Sequence, residues 1–181
     1  MKNINTAEHW DYKWSPLDKQ IKYAYWTMER IMRMIPEGSK VLDIGCGTAR
    51  FIYRLKKELN CDVYGIDISP RAVERAKNEF GVECGVYNAE NLDNFEGEYD
   101  VVVCTHVLEH ITNDKGLVKN IARLTKSLAF IAVPNNCAPP EETKEHVRAY
   151  TAESMIKLLK PYFSEITDHT LKNHLILKCR R

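Results

Sequence analysis

The sequence holds no apolar run near the ~20 residues that cross a bilayer, and Met1 to Trp10 lack the apolar core of an export signal. A cytoplasmic chain that keeps off membranes is expected. Net charge is almost absent as well: Lys+Arg 26 against Asp+Glu 25 leaves +1. No overall field draws in a polyphosphate, so nucleic acid is not the expected partner. There is no Cys-x-x-Cys pair either. The six cysteines, Cys46, Cys61, Cys84, Cys104, Cys137 and Cys179, are scattered, several inside apolar segments, and are expected as reduced core thiols. No repeat, low-complexity tract or linker divides the chain, and 44% hydrophobic content over 181 residues suffices for one full-sized core. A single domain over residues 1–181 is therefore expected.

Ser15-Pro16-Leu17-Asp18 is a helix start, with Ser at the cap, Pro at the first helical position and a carboxylate in the first turn. The apolar positions Ile21, Tyr25, Met28, Ile31, Met32 and Ile35 recur at three and four, predicting about 20 residues of helix with one buried stripe, ending at Pro36-Glu37-Gly38. From Lys40 onward, short apolar runs alternate with helical segments, the pattern of βαβ units around a parallel sheet. Strands are predicted at 40–44, 62–67, 82–87, 99–104 and 128–133, and helices at 49–59, 70–80 and 115–126. Ser69-Pro70 repeats the cap-then-proline signal. Residues 134–142, rich in Pro and Asn, form a surface loop. Thr151 then caps a helix to 160, and 162–168 with 171–179 make an antiparallel hairpin at the sheet edge. The expected architecture is three-layer α/β, with a mostly parallel seven-stranded sheet whose last two strands are the antiparallel C-terminal hairpin.

The most informative stretch is Val41-Leu42-Asp43-Ile44-Gly45-Cys46-Gly47-Thr48-Ala49, a strand that runs into two glycines and then a helix. Glycine lets the backbone turn sharply and lets a ligand approach, here at the carboxyl end of the first strand. A dinucleotide fingerprint, Gly-x-Gly-x-x-Gly, would need its third glycine where Arg50 stands, and that side chain obstructs packing of helix on strand. Asp43 argues the same way. A carboxylate beside the turn suits a ligand that carries an ammonium and a sulfonium, and repels a pyrophosphate. An NAD-linked oxidoreductase is the weaker reading, although Asp67, in Tyr64-Gly65-Ile66-Asp67-Ile68, could accept the ribose hydroxyls of either ligand. Asn88-Ala89-Glu90 offers amide and carboxylate groups where an adenine edge can lie.

From about residue 40 to 160 this ordered set resembles the class I S-adenosylmethionine-dependent methyltransferases, especially the small-molecule branch called type 11 or type 12. The resemblance implies a Rossmann-like fold, S-adenosyl-L-methionine as cofactor and S-adenosyl-L-homocysteine as product. It puts Asp43, Gly45, Cys46 and Gly47 beside the methionyl part, Asp67 and Ile68 at the ribose, Asn88, Ala89 and Glu90 at the adenine, and His106 on the cofactor side. The family often has Asp where Asn88 stands and a third glycine where Ala49 stands. It also implies that residues 1–38 form a helical segment and lid over a core of 39–181. Trp10, Tyr12 and Trp14 would then either shield the sulfonium or pack on the sheet. The implied reaction is methyl transfer to oxygen or nitrogen of a small-molecule acceptor. A peptide side chain or an RNA end as acceptor, and a non-catalytic cofactor-binding or regulatory module, are the alternatives.

Acceptor-side candidates cluster after the fourth strand and in the late loop. His106, Glu109 and His110 share a face if their segment turns helically, and His146, Arg148 and Tyr150 approach the same crevice from the segment after the fifth strand. His110 and His146 are the candidate catalytic bases, since imidazole titrates near neutrality. Leu108-Glu109-His110 recurs in the resembled family among members with different acceptors, so a structural or shielding role fits it too. No metal is assigned. His106, Glu109, His110 and His146 could still supply nitrogen and oxygen ligands. Small-RNA 2′-O-methyltransferases and some quinone-biosynthesis O-methyltransferases hold a divalent ion through Glu-x-x-Glu-His, whose first acidic position is His106 here. His169 and His174 are expected at the surface or at a dimer contact, in a monomer or homodimer.

Overall fold

A computed structural model describes residues 4–14, 21–135 and 144–181, and only the backbone of 21–24. Seven strands, β1 (Lys40–Ile44), β2 (Asp62–Asp67), β3 (Cys84–Val86), β4 (Tyr99–Thr105), β5 (Thr125–Pro134), β6 (Glu165–Asp168) and β7 (His174–Arg180), form one sheet in the order β3-β2-β1-β4-β5-β7-β6. Neighbours from β3 to β5 are parallel, and β7 runs antiparallel to both β5 and β6. This is the expected Rossmann-like arrangement with its C-terminal hairpin.

The strands read as unbroken apolar runs because both sheet faces are covered. On one side Val41, Val101, Val103 and Phe130 meet Phe51, Ile52 and Leu55 of α3 (Arg50–Glu58). On the other, Leu42, Ile44, Val102 and Ile131 meet Leu117, Val118 and Ile121 of α5 (Asp114–Leu124), with Met155 and Leu159 of α6 (Ala152–Leu159). Alternate residues along each strand thus feed opposite layers. The helix ends follow local chemistry. In α4 (Pro70–Phe80), Ser69 accepts from the Ala72 amide, Pro70 opens the helix and Gly81 closes it with φ 60°. Thr151 and Ser154 cap α6 reciprocally.

The differences from expectation have physical causes. A short helix, α1 (Ala7–Lys13), precedes α2 (Ile21–Met32). Thr6 caps it, and the alternate spacing of Trp10, Tyr12 and Trp14 sends them different ways, leaving Tyr12 exposed. The predicted Ser15-Pro16 helix start lies outside the described residues, as do Cys137 and residues 136–143 of the late loop. In α2 the predicted stripe holds at Ile31, but Tyr25 is exposed. β5 runs longer than its apolar stretch because both of its flanks find strand partners. Cys61, Cys104 and Cys179 are core thiols; Cys46 and Cys84 are only half-buried, and all five are free. His174, expected at the surface, is buried, its ring edge-on to His106 at 5.3 Å. Among the described residues no helix is long and apolar enough to cross a membrane.

Candidate functional site

The strand order reverses between β1 and β4, which opens a crevice at their carboxyl ends. The glycine turn lies there. Gly45 and Gly47 have φ of 76° and 54°, a left-handed backbone that glycine adopts without steric cost. A Cβ on Gly45 would sit 2.1 Å from Val107 Cγ2, and one on Gly47 2.5 Å from the Trp14 ring. Ala49 takes the same conformation, φ 60°, which accounts physically for glycine being common at that place. It precedes α3 without a side-chain cap.

Two buried acids flank this turn. Asp67 Oδ2 accepts from the Gly47 amide at 2.8 Å and Oδ1 from the Ser69 amide at 2.9 Å. Burial raises its carboxyl above the ordinary range, against the pull of these amides. Asp43 is more extreme: its Oδ1 has no hydrogen-bond partner among the described residues. Desolvation pushes its carboxyl well up, with Cys84 and Asp67 adding to the effect. An orphaned buried carboxylate beside an open glycine turn fits a ligand that brings a cationic amino group.

The cleft has an empty volume of about 660 Å³, mouth included. Of the predicted cofactor residues, Gly45, Asp67, Ile68, Asn88, Ala89, Glu90 and His106 line it, whereas Asp43, Cys46 and Gly47 do not. Asp43 lies at the end of β1, Cys46 turns its thiol toward Cys84, and Gly47 is faced by Trp14. Asn88 Oδ1 accepts from the Glu90 amide at 2.9 Å, and the Glu90 carboxylate takes the amides of Thr112 and Asn113 at 2.6 and 3.1 Å. Glu90 thereby ties the loop after β3 to the start of α5.

Sequence reasoning missed Asn5 in the wall, whereas Trp10 and Trp14 are among its candidates for covering the cleft. Asn5 lines the cleft, and its amide donates to the carbonyls of His110 and Glu145. Trp10 packs edge-on to His110 at 5.0 Å, and Trp14 lines the cleft beside it. Lys13 pairs with Glu145 at 2.6 Å, Asp11 accepts from Ser69, and Arg75 donates to the Trp14 carbonyl at 3.0 Å. α1 therefore closes one side of the cleft by contacts to three separate segments.

On the acceptor side, Leu108–His110 makes a single 3₁₀ turn. Glu109 is buried, 3.5 Å from His106 Nδ1 and 3.9 Å from His110 Nε2. Burial opposes its charge, but the His106 hydrogen bond and the two imidazoles outweigh that and hold its carboxyl below the ordinary range. His110 lines the cleft, and its Nδ1 lies 2.9 Å from the Glu145 carbonyl. A carbonyl only accepts, so Nδ1 carries a proton, and in the neutral ring the lone pair is on Nε2. His146 packs against His110 at 5.0 Å but does not line the cleft. Arg148 and Tyr150, expected there too, instead bind Asp114 and brace the start of α5. Glu109, His110 and His146 each offer one ligand atom, all within 4.8 Å of one another, a donor set of the kind that holds a divalent ion.

The methyltransferase domain family matches residues 41–127. Over that stretch, just under half of its length, the chain is similar to methyltransferase domains. The cleft's acids and glycine turn fit S-adenosylmethionine. The ubiquinone biosynthesis O-methyltransferase of Erwinia tasmaniensis is 34% identical over 95 residues, which cover 49% of this chain and 39% of that relative. The chain thus covers well under two thirds of that relative's length. In fold, the domain is similar to the putative methyltransferase solved with the Trm112 activator of Haloferax volcanii, with TM-score 0.77 and 13% identity over 99% of this chain and 98% of that one. It is similar also to the N-methyltransferase NodS of Bradyrhizobium japonicum, solved with S-adenosylhomocysteine, with TM-score 0.76 and 17% identity over 98% of both chains.

Proposed function

We propose that this chain transfers a methyl group from S-adenosylmethionine to an oxygen or nitrogen of a small-molecule acceptor, as one cytoplasmic domain. The observation that carries the reading is the buried Asp43 with its partnerless oxygen, set behind a left-handed glycine turn and next to a second acid, Asp67. A cation completes that arrangement, and a pyrophosphate does not.

Bound in this cleft, the cofactor supplies an electrophilic methyl on a sulfonium sulfur. The protein's part is to orient, to exclude water and to move one proton. Asp67 takes the ribose hydroxyls with the lone pairs that its two amide bonds leave free. Asn88 and Ala89 border the adenine. Trp10 and Trp14 cover the cleft and keep water from the reacting centre. His110 Nε2 accepts the acceptor's proton, and His146, packed on the same ring, holds that imidazole in place. Glu109 stabilises the imidazolium that forms.

Calorimetry with S-adenosylmethionine tests the binding step, and S-adenosylhomocysteine release over a panel of phenols, catechols, amines and carboxylic acids tests transfer. Tight cofactor binding without turnover on any acceptor, peptides and RNA ends included, would favour a regulatory module. Binding of NADH in place of S-adenosylmethionine would end the proposal.

A further inference from the structure

Beside the cofactor turn, two cysteines face each other. The Cys46 Sγ lies 3.9 Å from the Cys84 Sγ, in hydrogen-bond contact. They come from distant parts of the chain: Cys46 sits between Gly45 and Gly47, and Cys84 opens β3, the edge strand of the sheet. The space between them exists because residue 65 is glycine. A Cβ there would fall 2.7 Å from one sulfur and 2.8 Å from the other. Both side chains are half-buried, within reach of a small oxidant.

We propose that Cys46 and Cys84 form a reversible disulfide when the protein meets a hydroperoxide, and that this bond lowers affinity for the cofactor. Cys84 is the attacking sulfur. The Cys46 thiol donates to it and favours its thiolate, and the same contact, with burial, pushes the Cys46 thiol up. The Cys84 thiolate takes one peroxide oxygen and becomes a sulfenic acid, and the alkoxide or hydroxide released picks up the proton that Cys84 had lost. Cys46 sulfur then attacks Cys84 sulfur, the S–S bond forms, and the hydroxide that leaves takes the Cys46 proton as water. Two thiols have lost two electrons, and the peroxide has been reduced to an alcohol, or to water, plus one further water.

The bond bears on the cofactor because both partners are attached to the cleft. Closing the gap from 3.9 Å to about 2.05 Å draws the glycine turn and the edge strand together. The turn gives the cleft Gly45, and β3 leads into Tyr87 and Asn88, which line it. The Cys46 amide bonds the Ile66 carbonyl at 3.0 Å and the Gly47 amide bonds Asp67, so a shift of the turn strains the acid that faces the ribose. This second half of the proposal rests on the cofactor reading, and the first does not.

The full chain, carrying Cys137→Ser so that this thiol does not compete, is treated with hydrogen peroxide, alkylated and mapped by mass spectrometry. A peptide pair joined through Cys46 and Cys84, released by dithiothreitol, is expected. S-adenosylhomocysteine affinity, read by calorimetry, falls by about tenfold on oxidation, within the range of ordinary coupling between sites, and returns on reduction. By the same linkage, saturating S-adenosylhomocysteine makes the pair harder to oxidise, raising its reduction potential by about 30 mV. Cys84→Ser, which leaves the cleft lining untouched, keeps the affinity of the reduced protein through peroxide treatment. Cys46 and Cys84 both recovered as free thiols would overturn the disulfide, whatever the cofactor. A quantitative disulfide with unchanged affinity would overturn the coupling alone, and no binding by the reduced protein would overturn the cofactor reading instead.

Discussion

The carboxylate of Asp67 and the amide of Gly47 lie 2.8 Å apart, so the acid that ends β2 holds the turn that follows β1. Its second oxygen takes the Ser69 amide, which fixes the entry to α4 as well. Asp67→Ala is expected to weaken S-adenosylmethionine binding by about 1 to 3 kcal/mol, the scale of hydrogen bonds to a charged group. It also lowers the melting temperature, because the Gly47 and Ser69 amides lose their acceptor. Asp67→Asn keeps one acceptor oxygen and loses less of both. Calorimetry and thermal unfolding of the two variants separate the roles, and unchanged cofactor affinity in both would remove Asp67 from the ribose.

Asp43 predicts a pH dependence whose sign follows from its burial. Desolvation raises its carboxyl above the ordinary 3.8, and a cationic ammonium beside it favours the charged form. Cofactor binding therefore releases a proton, and affinity climbs as pH rises through the raised value, then levels off. In the cofactor-free protein the folded state holds that proton more tightly than the unfolded chain. The contribution of Asp43 to stability is therefore fully present below 3.8 and is lost as pH rises through the raised value. Calorimetry in two buffers of different ionisation enthalpy counts the released protons. Asp43→Asn is expected to abolish the release, and a pH-independent affinity in the unaltered protein would separate Asp43 from the cation.

Gly45→Ala tests the turn itself. The new methyl would meet Val107 at 2.1 Å in a backbone with φ 76°, so overpacking and left-handed strain add. A loss of about 2 to 4 kcal/mol is expected, measured by urea unfolding. By contrast, Gly81→Ala has open space around its Cβ and carries only the backbone cost, about 1 to 2 kcal/mol. Equal losses in the two variants would mean that the turn and Val107 give way freely.

Where structure depended on neighbouring residues, the sequence was legible. Ser69-Pro70 and Gly81 are local signals, and α4 runs between them as predicted. The glycine turn, Asp67 and the segment from Asn88 to Glu90 fall along one sheet edge because the βαβ order dictates it. What stayed hidden depends on tertiary contact. α1 is seven residues long, and its position follows from Asn5, Asp11 and Lys13 reaching partners more than fifty residues away. His174 is buried where it pairs with Pro134 of β5 and packs on the His106 ring, which no local pattern announces. Arg148 and Tyr150 carry the chemistry of an acceptor site but were drawn to Asp114, whose place at the start of α5 decided their role.

The last prediction separates two uses of one nitrogen. The Glu145 carbonyl fixes a proton of His110 on Nδ1, so in the neutral ring the lone pair is on Nε2, beside Glu109 and near His146. As a base, that lone pair takes a proton from the acceptor. As a ligand, it would join Glu109 and His146 around a divalent ion, with the Glu145 carbonyl orienting the imidazole as outer-sphere partners do. The base reading predicts that chelation, checked by elemental analysis, leaves turnover intact, whereas His110→Ala lowers kcat by about 10²- to 10⁴-fold. The KM for S-adenosylmethionine changes little, because the proposed ribose and amino-acid contacts are Asp67 and Asp43 and not His110. His146→Ala loses less, since its ring positions His110 without lining the cleft. If chelation stops turnover and an added divalent cation restores it, and His110→Ala and His146→Ala both lose the bound ion, the lone pair belongs to a metal and the proton must leave by another route.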